Sequence, residues 1–373
     1  MHVDMCRTVC GDNAMKHGGD IYRNHILQDH SVNLNPLGCP DEVMGAINEG
    51  IKHVHEYPDL RQESVRAAIA DMYGTDERHV LGGNGASELI FAVTASVKPC
   101  RALLVSPGFS GYEYALSAVN AEMIDRYCLS EQNGFAIGED ILDRITEDTD
   151  IMYLCNPHNP TGLNVPGNLL RRICDRCRDM DCSLVVDESF LNMSSHAFSL
   201  SGYIDKYHGL YVIGSFTKLF AIPGLRAGYL LTCEANLESV SVRLPEWNMS
   251  VPAQYAAVAC ARLMRDTSFV KDTIQMIDLE RKYLLDGIRS LPDTALPSGM
   301  HIKAYDSDSS FFLVQSSMDL YSALLKEGIM IRKYESGEFD NVRFYRIAVK
   351  DHDSNTSLLK AVKKLCKTML TDE

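Results

Sequence analysis

Leu210-Tyr-Val-Ile-Gly-Ser-Phe-Thr-Lys-Leu-Phe-Ala-Ile-Pro-Gly-Leu-Arg-Ala-Gly-Tyr-Leu-Leu-Thr232 reads as a strand, a loop and a second strand. Leu210–Ser215 and Ala227–Thr232 are short apolar runs, and Pro223-Gly224 breaks the chain between them. The loop holds Lys218 among apolar or small residues. Ser215 precedes it by three positions and Arg226 follows by eight. An amine nucleophile between an anion-binding hydroxyl and a guanidinium suits an aldehyde that carries a phosphate.

Outward from this stretch the chain alternates. Ala102–Ser106, Glu122–Tyr127, Ile151–Cys155 and Ser183–Val186 read as strands, and Gly111–Val119, Ile141–Ile145 and Pro166–Met180 as helices. Such alternation predicts an α/β fold with a mostly parallel sheet. Upstream, Asp41–His53 and Gln62–Tyr73 read as helices, and Val80-Leu-Gly-Gly-Asn-Gly-Ala-Ser87 runs from a strand end into a helix. Gly83-Asn-Gly85 lacks the third glycine of a dinucleotide fingerprint, so the helix start at Ala86-Ser87 reads as a general anion site or a plain turn. Downstream come two long helices, Ala253–Met264 and Phe269–Arg289. The pattern then changes to strands at Phe311–Gln315, Ile329–Tyr334 and Phe344–Val349, with helices at Met318–Lys326 and Ser354–Met369. This last part predicts a smaller α+β unit.

The net charge of −14 over 373 residues opposes phosphate backbones and acidic membranes, so no nucleic-acid or membrane partner is expected. No apolar run is long enough to span a bilayer. The N-terminus lacks the basic-then-apolar order of an export signal. The 12 cysteines therefore read as reduced thiols of a cytoplasmic protein. Cys6 with Cys10, and Cys174 with Cys177, are close pairs without a second pair at zinc spacing, so no metal is expected.

In an α/β sheet, ligands collect at the carboxyl ends of the strands. Three strands run into polar motifs there: Asn156-Pro-His-Asn-Pro-Thr-Gly162, Asp187-Glu-Ser-Phe190 and Ser215-Phe-Thr-Lys218. Pyridoxal 5'-phosphate fits the set. Lys218 is the amine that condenses with the aldehyde. Asp187 would keep the ring nitrogen protonated, and Asn159 would donate to the ring oxygen. Ser215, Thr217, Arg226 and the Ala86-Ser87 helix start would hold the phosphate. Phe109, after Pro107-Gly108, would stack on the ring.

At these residues the chain resembles the aspartate-aminotransferase superfamily of fold-type I pyridoxal-phosphate enzymes. Asn156–Gly162 is similar to its Asn-Pro-x-Asn-Pro-Thr-Gly signature, and Asp187 and Ser215-x-x-Lys218…Arg226 match the next two motifs. The resemblance implies a large domain over 40–265, and a smaller one from 266–373 joined by the N-terminal segment 1–39. It also implies a homodimer with shared sites, in which Tyr57 reaches the neighbouring subunit's cofactor phosphate. Two branches compete, the threonine-phosphate decarboxylases and the histidinol-phosphate aminotransferases. His17-Gly-Gly19, Ser31-x-Asn33-x-Asn-Pro-Leu-Gly38, Pro107-Gly-Phe109 and Phe344-Tyr-Arg-Ile-Ala348 look closer to the decarboxylases of cobalamin biosynthesis, and so does Phe190 where the aminotransferases carry a tyrosine. His158 and Ser189 depart from the usual asparagine and alanine. The resemblance implies decarboxylation of an O-phosphorylated amino acid, threonine phosphate or serine phosphate, with transamination as the alternative. Arg346 would take the substrate carboxylate, and His17, Asn35 and Arg332 its phosphate.

Overall fold

The computed structural model describes residues 18–265, 267–291, 301–334 and 343–371. In chain order the strands are β1 (Gln28–Asp29), β2 (Val80–Gly83), β3 (Arg101–Ser106), β4 (Met123–Cys128), β5 (Ile151–Cys155), β6 (Ser183–Asp187), β7 (Leu210–Ser215), β8 (Gly228–Leu231), β9 (Ile302–Ala304), β10 (Phe311–Ser316), β11 (Ile329–Met330), β12 (Arg332–Lys333) and β13 (Phe344–Ala348). The helices are α1 (Asp41–Ile51), α2 (Glu63–Tyr73), α3 (Ala86–Val97), α4 (Ser110–Ala118), α5 (Gly167–Asp179), α6 (Phe216–Leu219), α7 (Glu234–Ser241), α8 (Val251–Arg265), α9 (Thr267–Arg289), α10 (Leu320–Lys326) and α11 (His352–Thr371).

Among the described residues the larger sheet has the order β2-β8-β7-β6-β5-β3-β4. The strands from β4 to β7 run parallel, and β8 is antiparallel to both β7 and β2. A parallel return needs a long crossover. The segment between β7 and β8 holds only the single turn of α6, so the chain doubles back. Both faces are covered, because alternate residues enter opposite cores. Leu103, Met152, Leu154, Leu184 and Val212 join one core; Leu104, Ile151, Tyr153, Val185 and Ile213 join the other. In register, Cys155 lies beside Asp187 and Asp187 beside Ile213, so the polar ends of β5, β6 and β7 meet at one edge.

The smaller sheet has the order β12-β13-β10-β9 and is antiparallel throughout. One face carries Phe312, Val314, Tyr345 and Ile347, which pack with Leu284 and Ile288 of α9 and Leu358 and Val362 of α11. The other face carries Leu313, Phe344 and Tyr334, which pack with Tyr305 and with Phe135 from the segment after β4. Ile277 of α9 belongs to the larger core, so this helix serves both.

Two expectations are corrected. The run Ile329–Tyr334 is not one strand. It changes partner at Ile331, with β11 pairing parallel to β1 and β12 pairing antiparallel to β13. Ile141–Ile145 forms no α-helix: Glu139–Arg144 is a 3-10 turn that buries Ile141. No helix among the described residues is long and apolar enough to cross a membrane.

Candidate active site

Lys218 sits in α6, directly after β7. Ser215 caps that turn, its Oγ accepting from the Thr217 N–H at 3.2 Å. Burial pushes the lysine pKa down to about 8; Arg346, Arg226 and Lys350 add to the shift, and Asp187 opposes it. The neutral, nucleophilic amine thus comes within reach of ordinary pH.

Asp187 ends β6 and is buried. Its two oxygens are aimed by two donors, Tyr112 Oη at 2.9 Å and the Ser189 N–H at 3.0 Å. Tyr112 is a site residue that the motifs do not reveal. Its sequence signal is the spacing from Phe109, three positions on, which puts both on one side of the start of α4. The two rings meet edge to face at 5.4 Å, and Tyr112 stacks on Tyr153 at 5.1 Å. Burial, then Asp187, pushes the Tyr112 hydroxyl well above its ordinary pKa, so it stays a donor. The adjacent Glu188 faces away from this pair. It accepts from Ser199 Oγ at 2.7 Å and from the Leu200 N–H at 2.9 Å, and burial pushes its pKa up to about 7.

Asn159 accepts from Arg346 Nη1 at 2.7 Å, which leaves its amide hydrogens for another acceptor. Arg346 Nη2 donates to the Ser31 carbonyl at 2.7 Å, and its guanidinium carbon lies 5.4 Å from the Phe311 ring centre. Its Nε is buried without a partner. Burial, then Arg332 among the opposing charges, lowers the pKa of this arginine. Arg332 stands directly opposite Arg346 across β12 and β13. Like charges so placed repel, and a site for anions is what such a pair suits. Lys350 adds a third cation, with its Nζ on the Val32 carbonyl at 2.9 Å.

The phosphate-holding candidates gather at the start of α3. Arg226 takes a left-handed φ of 61° and lies against Gly85. A Cβ on Gly85 would come within 2.5 Å of Arg226 Nη2, and one on Gly228 within 2.9 Å of the Ala86 nitrogen. Glycine is needed at both places to let a guanidinium, a helix N-terminus and the lysine loop converge. With the Ser215 hydroxyl nearby in sequence, the Thr217 hydroxyl turned to the Ala227 carbonyl at 3.4 Å, and Ala86 and Ser87 opening the helix, the donor set suits a phosphate dianion.

Other candidates lie elsewhere. Asn35 does not present its amide to a ligand. It donates to the Leu219 carbonyl and to Thr273 Oγ1, each at 2.8 Å, and accepts from the Leu37 N–H. Its own N–H meets the Lys218 carbonyl at 3.0 Å, so it braces the lysine turn from behind. Phosphate binding by Asn35 is corrected accordingly: both amide hydrogens are already used. Tyr57 is 80% exposed and packs on Trp247 at 4.8 Å, apart from the enclosed groups. His17 lies outside the described residues. Phe190, buried, packs edge-on against Phe311 at 5.0 Å and carries no hydroxyl toward the site.

A family model described as aminotransferase class I and II matches residues 29–362. Threonine-phosphate decarboxylase of Salmonella typhimurium is 31% identical over 342 residues, which cover 91% of each chain. The crystal structure of histidinol-phosphate aminotransferase from Clostridium acetobutylicum aligns with a TM-score of 0.82 at 27% identity, over 92% of this chain and 100% of that one. Histidinol-phosphate aminotransferase from Sinorhizobium meliloti, solved in complex with pyridoxal-5'-phosphate, shares the fold with a TM-score of 0.80 at 18% identity, over 92% of both chains.

Proposed function

The chain belongs to the aminotransferase class I and II family, and within it we propose a pyridoxal 5'-phosphate-dependent enzyme that decarboxylates an O-phosphorylated amino acid, L-threonine O-3-phosphate first and O-phosphoserine second. The bound cofactor supplies an aldehyde for the lysine amine and a protonated ring that draws electrons from the substrate's Cα bonds.

Lys218 is the amine. Asp187, aimed by Tyr112, holds the proton at the ring nitrogen. Asn159 gives an amide hydrogen to the ring oxygen while its carbonyl stays on Arg346. Arg226, Ser215, Thr217 and the start of α3 hold the cofactor phosphate, and Phe109 flanks the ring. A second copy of the chain would bring its Tyr57 to that phosphate, which accounts for a tyrosine 80% exposed in the single chain.

The observation that carries the substrate reading is the Arg332–Arg346 pair. An O-phospho amino acid carries two anions, one for each guanidinium. Arg346 is tied to Asn159 and Ser31, so a carboxylate on it has one orientation. Orientation selects the reaction, because the Cα bond held perpendicular to the ring plane is the one that breaks. Phe190, with no hydroxyl, supports the same reading. So does the 31% identity to a threonine-phosphate decarboxylase.

Histidinol-phosphate transamination is the second reading, supported by the structural likeness at 27% identity. One experiment separates them. The cofactor-loaded protein is given O-phosphothreonine, and separately histidinol phosphate with 2-oxoglutarate. Carbon dioxide from the first is expected. Glutamate from the second, without carbon dioxide from the first, would overturn the proposal.

A further inference from the structure

We infer that Tyr334 is the positioning residue of the two-guanidinium site, holding Arg332 over its ring and opposite Arg346, so that both cations face one anionic substrate. The inference rests on the assignment of those arginines to the substrate.

The strand register carries the argument. Arg332 opposes Arg346, and the Tyr334 N–H continues the ladder to the Phe344 carbonyl at 3.0 Å. Residues two apart on a strand share a face, so Arg332 and Tyr334 lie on the side that also carries Phe344 and Arg346. Tyr334 is thus the diagonal neighbour of Arg346, a separation that aromatic and long side chains span. The Arg332 guanidinium carbon lies 5.3 Å from the Tyr334 ring centre, within cation–π range.

The ring itself has no freedom to drift. Tyr334 is 5% exposed and is packed among Phe135, Tyr305, Leu313 and Phe344. Phe135 comes from the segment after β4, so the larger unit helps to seat the residue that seats Arg332. Without Tyr334, two opposed guanidiniums would repel, and the less buried Arg332 would turn away. Only a ligand with two anions uses both cations. Tyr334 should therefore govern preference for the phosphorylated amino acid as well as affinity.

The test uses cofactor-loaded protein, with binding of O-phosphothreonine and of L-threonine followed by the change in the cofactor's visible absorption. Tyr334→Leu removes the ring and should cost O-phosphothreonine roughly 3- to 10-fold that L-threonine does not lose. Tyr334→Phe keeps the ring and should restore the binding that Tyr334→Leu loses. Tyr305→Phe is the packing control. Tyr305 lies in the same cluster but donates to Glu131 and Gln315, and this variant should bind as the wild type does. The inference is overturned if Tyr334→Leu binds both ligands normally, or if Tyr334→Phe loses as much as Tyr334→Leu. It is also overturned if the weakening in Tyr334→Leu follows a parallel loss of cofactor content and thermal stability. If the wild type binds O-phosphothreonine without releasing carbon dioxide, and Tyr334→Leu weakens that binding, the decarboxylase reading falls and Tyr334 stands. If the wild type binds no phosphorylated amino acid, both fall.

Discussion

At the residue scale, three side chains have measurable consequences. Lys218→Ala should abolish the visible absorption band of the cofactor-loaded protein that borohydride bleaches, and activity with it. A band that survives in this variant would remove Lys218 from its role. Lys218 also sets a pH dependence of stability in the cofactor-free protein. Its folded pKa of about 8 lies below the ordinary value of 10.5, so the folded state binds this proton less tightly than the unfolded chain does. The penalty is full below pH 8 and fades as pH rises from about 8 to about 10.5. Lys218→Met should therefore stabilise the cofactor-free protein by about 3 kcal/mol at pH 7, and the gain should shrink above pH 8 in denaturant titrations. Glu188 has the opposite sign. Burial raises its pKa from 4.5 to about 7, so stability is full below pH 4.5 and declines as pH rises toward 7. Glu188→Gln keeps a carbonyl for the Leu200 N–H and should flatten that decline, read as unfolding midpoints across the interval. Tyr112→Phe removes one of the two donors on Asp187 and should weaken cofactor binding by about 10-fold while leaving thermal stability nearly unchanged.

At the element scale, the start of α3 is the sensitive joint. Gly85 has a φ of 82° and leaves room for Arg226. Gly85→Ala adds strain at a left-handed position and displaces the guanidinium. The expected result is a loss of cofactor affinity of 10-fold or more, against a stability loss of only about 1 kcal/mol, measured by absorbance titration of the cofactor-free protein. Equal loss of stability and affinity would mean that Gly85 serves the fold alone. The turn of α6 is the second joint, because Asn35 holds it from behind through the Lys218 and Leu219 carbonyls.

At the scale of the whole molecule, two sheets meet across Arg346, Asn159 and Ser31, so the site draws on the larger sheet, the smaller sheet and the N-terminal segment. The single chain also exposes Ile51, Val54, Tyr57, Leu60 and Trp247, which are large apolar groups for an outer surface. A patch of this kind suits a second copy of the chain. Sedimentation should give a dimer, and Val54→Asp should shift it to monomer with weaker cofactor retention, since the partner's Tyr57 would be lost. A monomeric wild type with full cofactor affinity would remove Tyr57 from the site.

The sequence alone determined the alternating α/β order, the lysine loop and the polar ends of β5, β6 and β7. Those features are local: periodicity chooses strand or helix, and a polar residue at a strand's end stands out from an apolar run. It also carried enough motif to point to the cofactor. Tertiary structure decided which distant groups meet. Tyr112 lies 75 positions from the carboxylate it aims, and Arg346 lies 187 from Asn159. No local pattern marks such pairs. The same distance hid the work of Asn35, whose amide reads as a free ligand in the sequence and is consumed by Leu219 and Thr273 in the fold. Strand pairing at Ile329–Lys333 was equally out of reach, because a short extended run does not say that its two halves have different neighbours. Pairing between segments is set by the register of the assembled sheets, and that register exists only once the chain has packed.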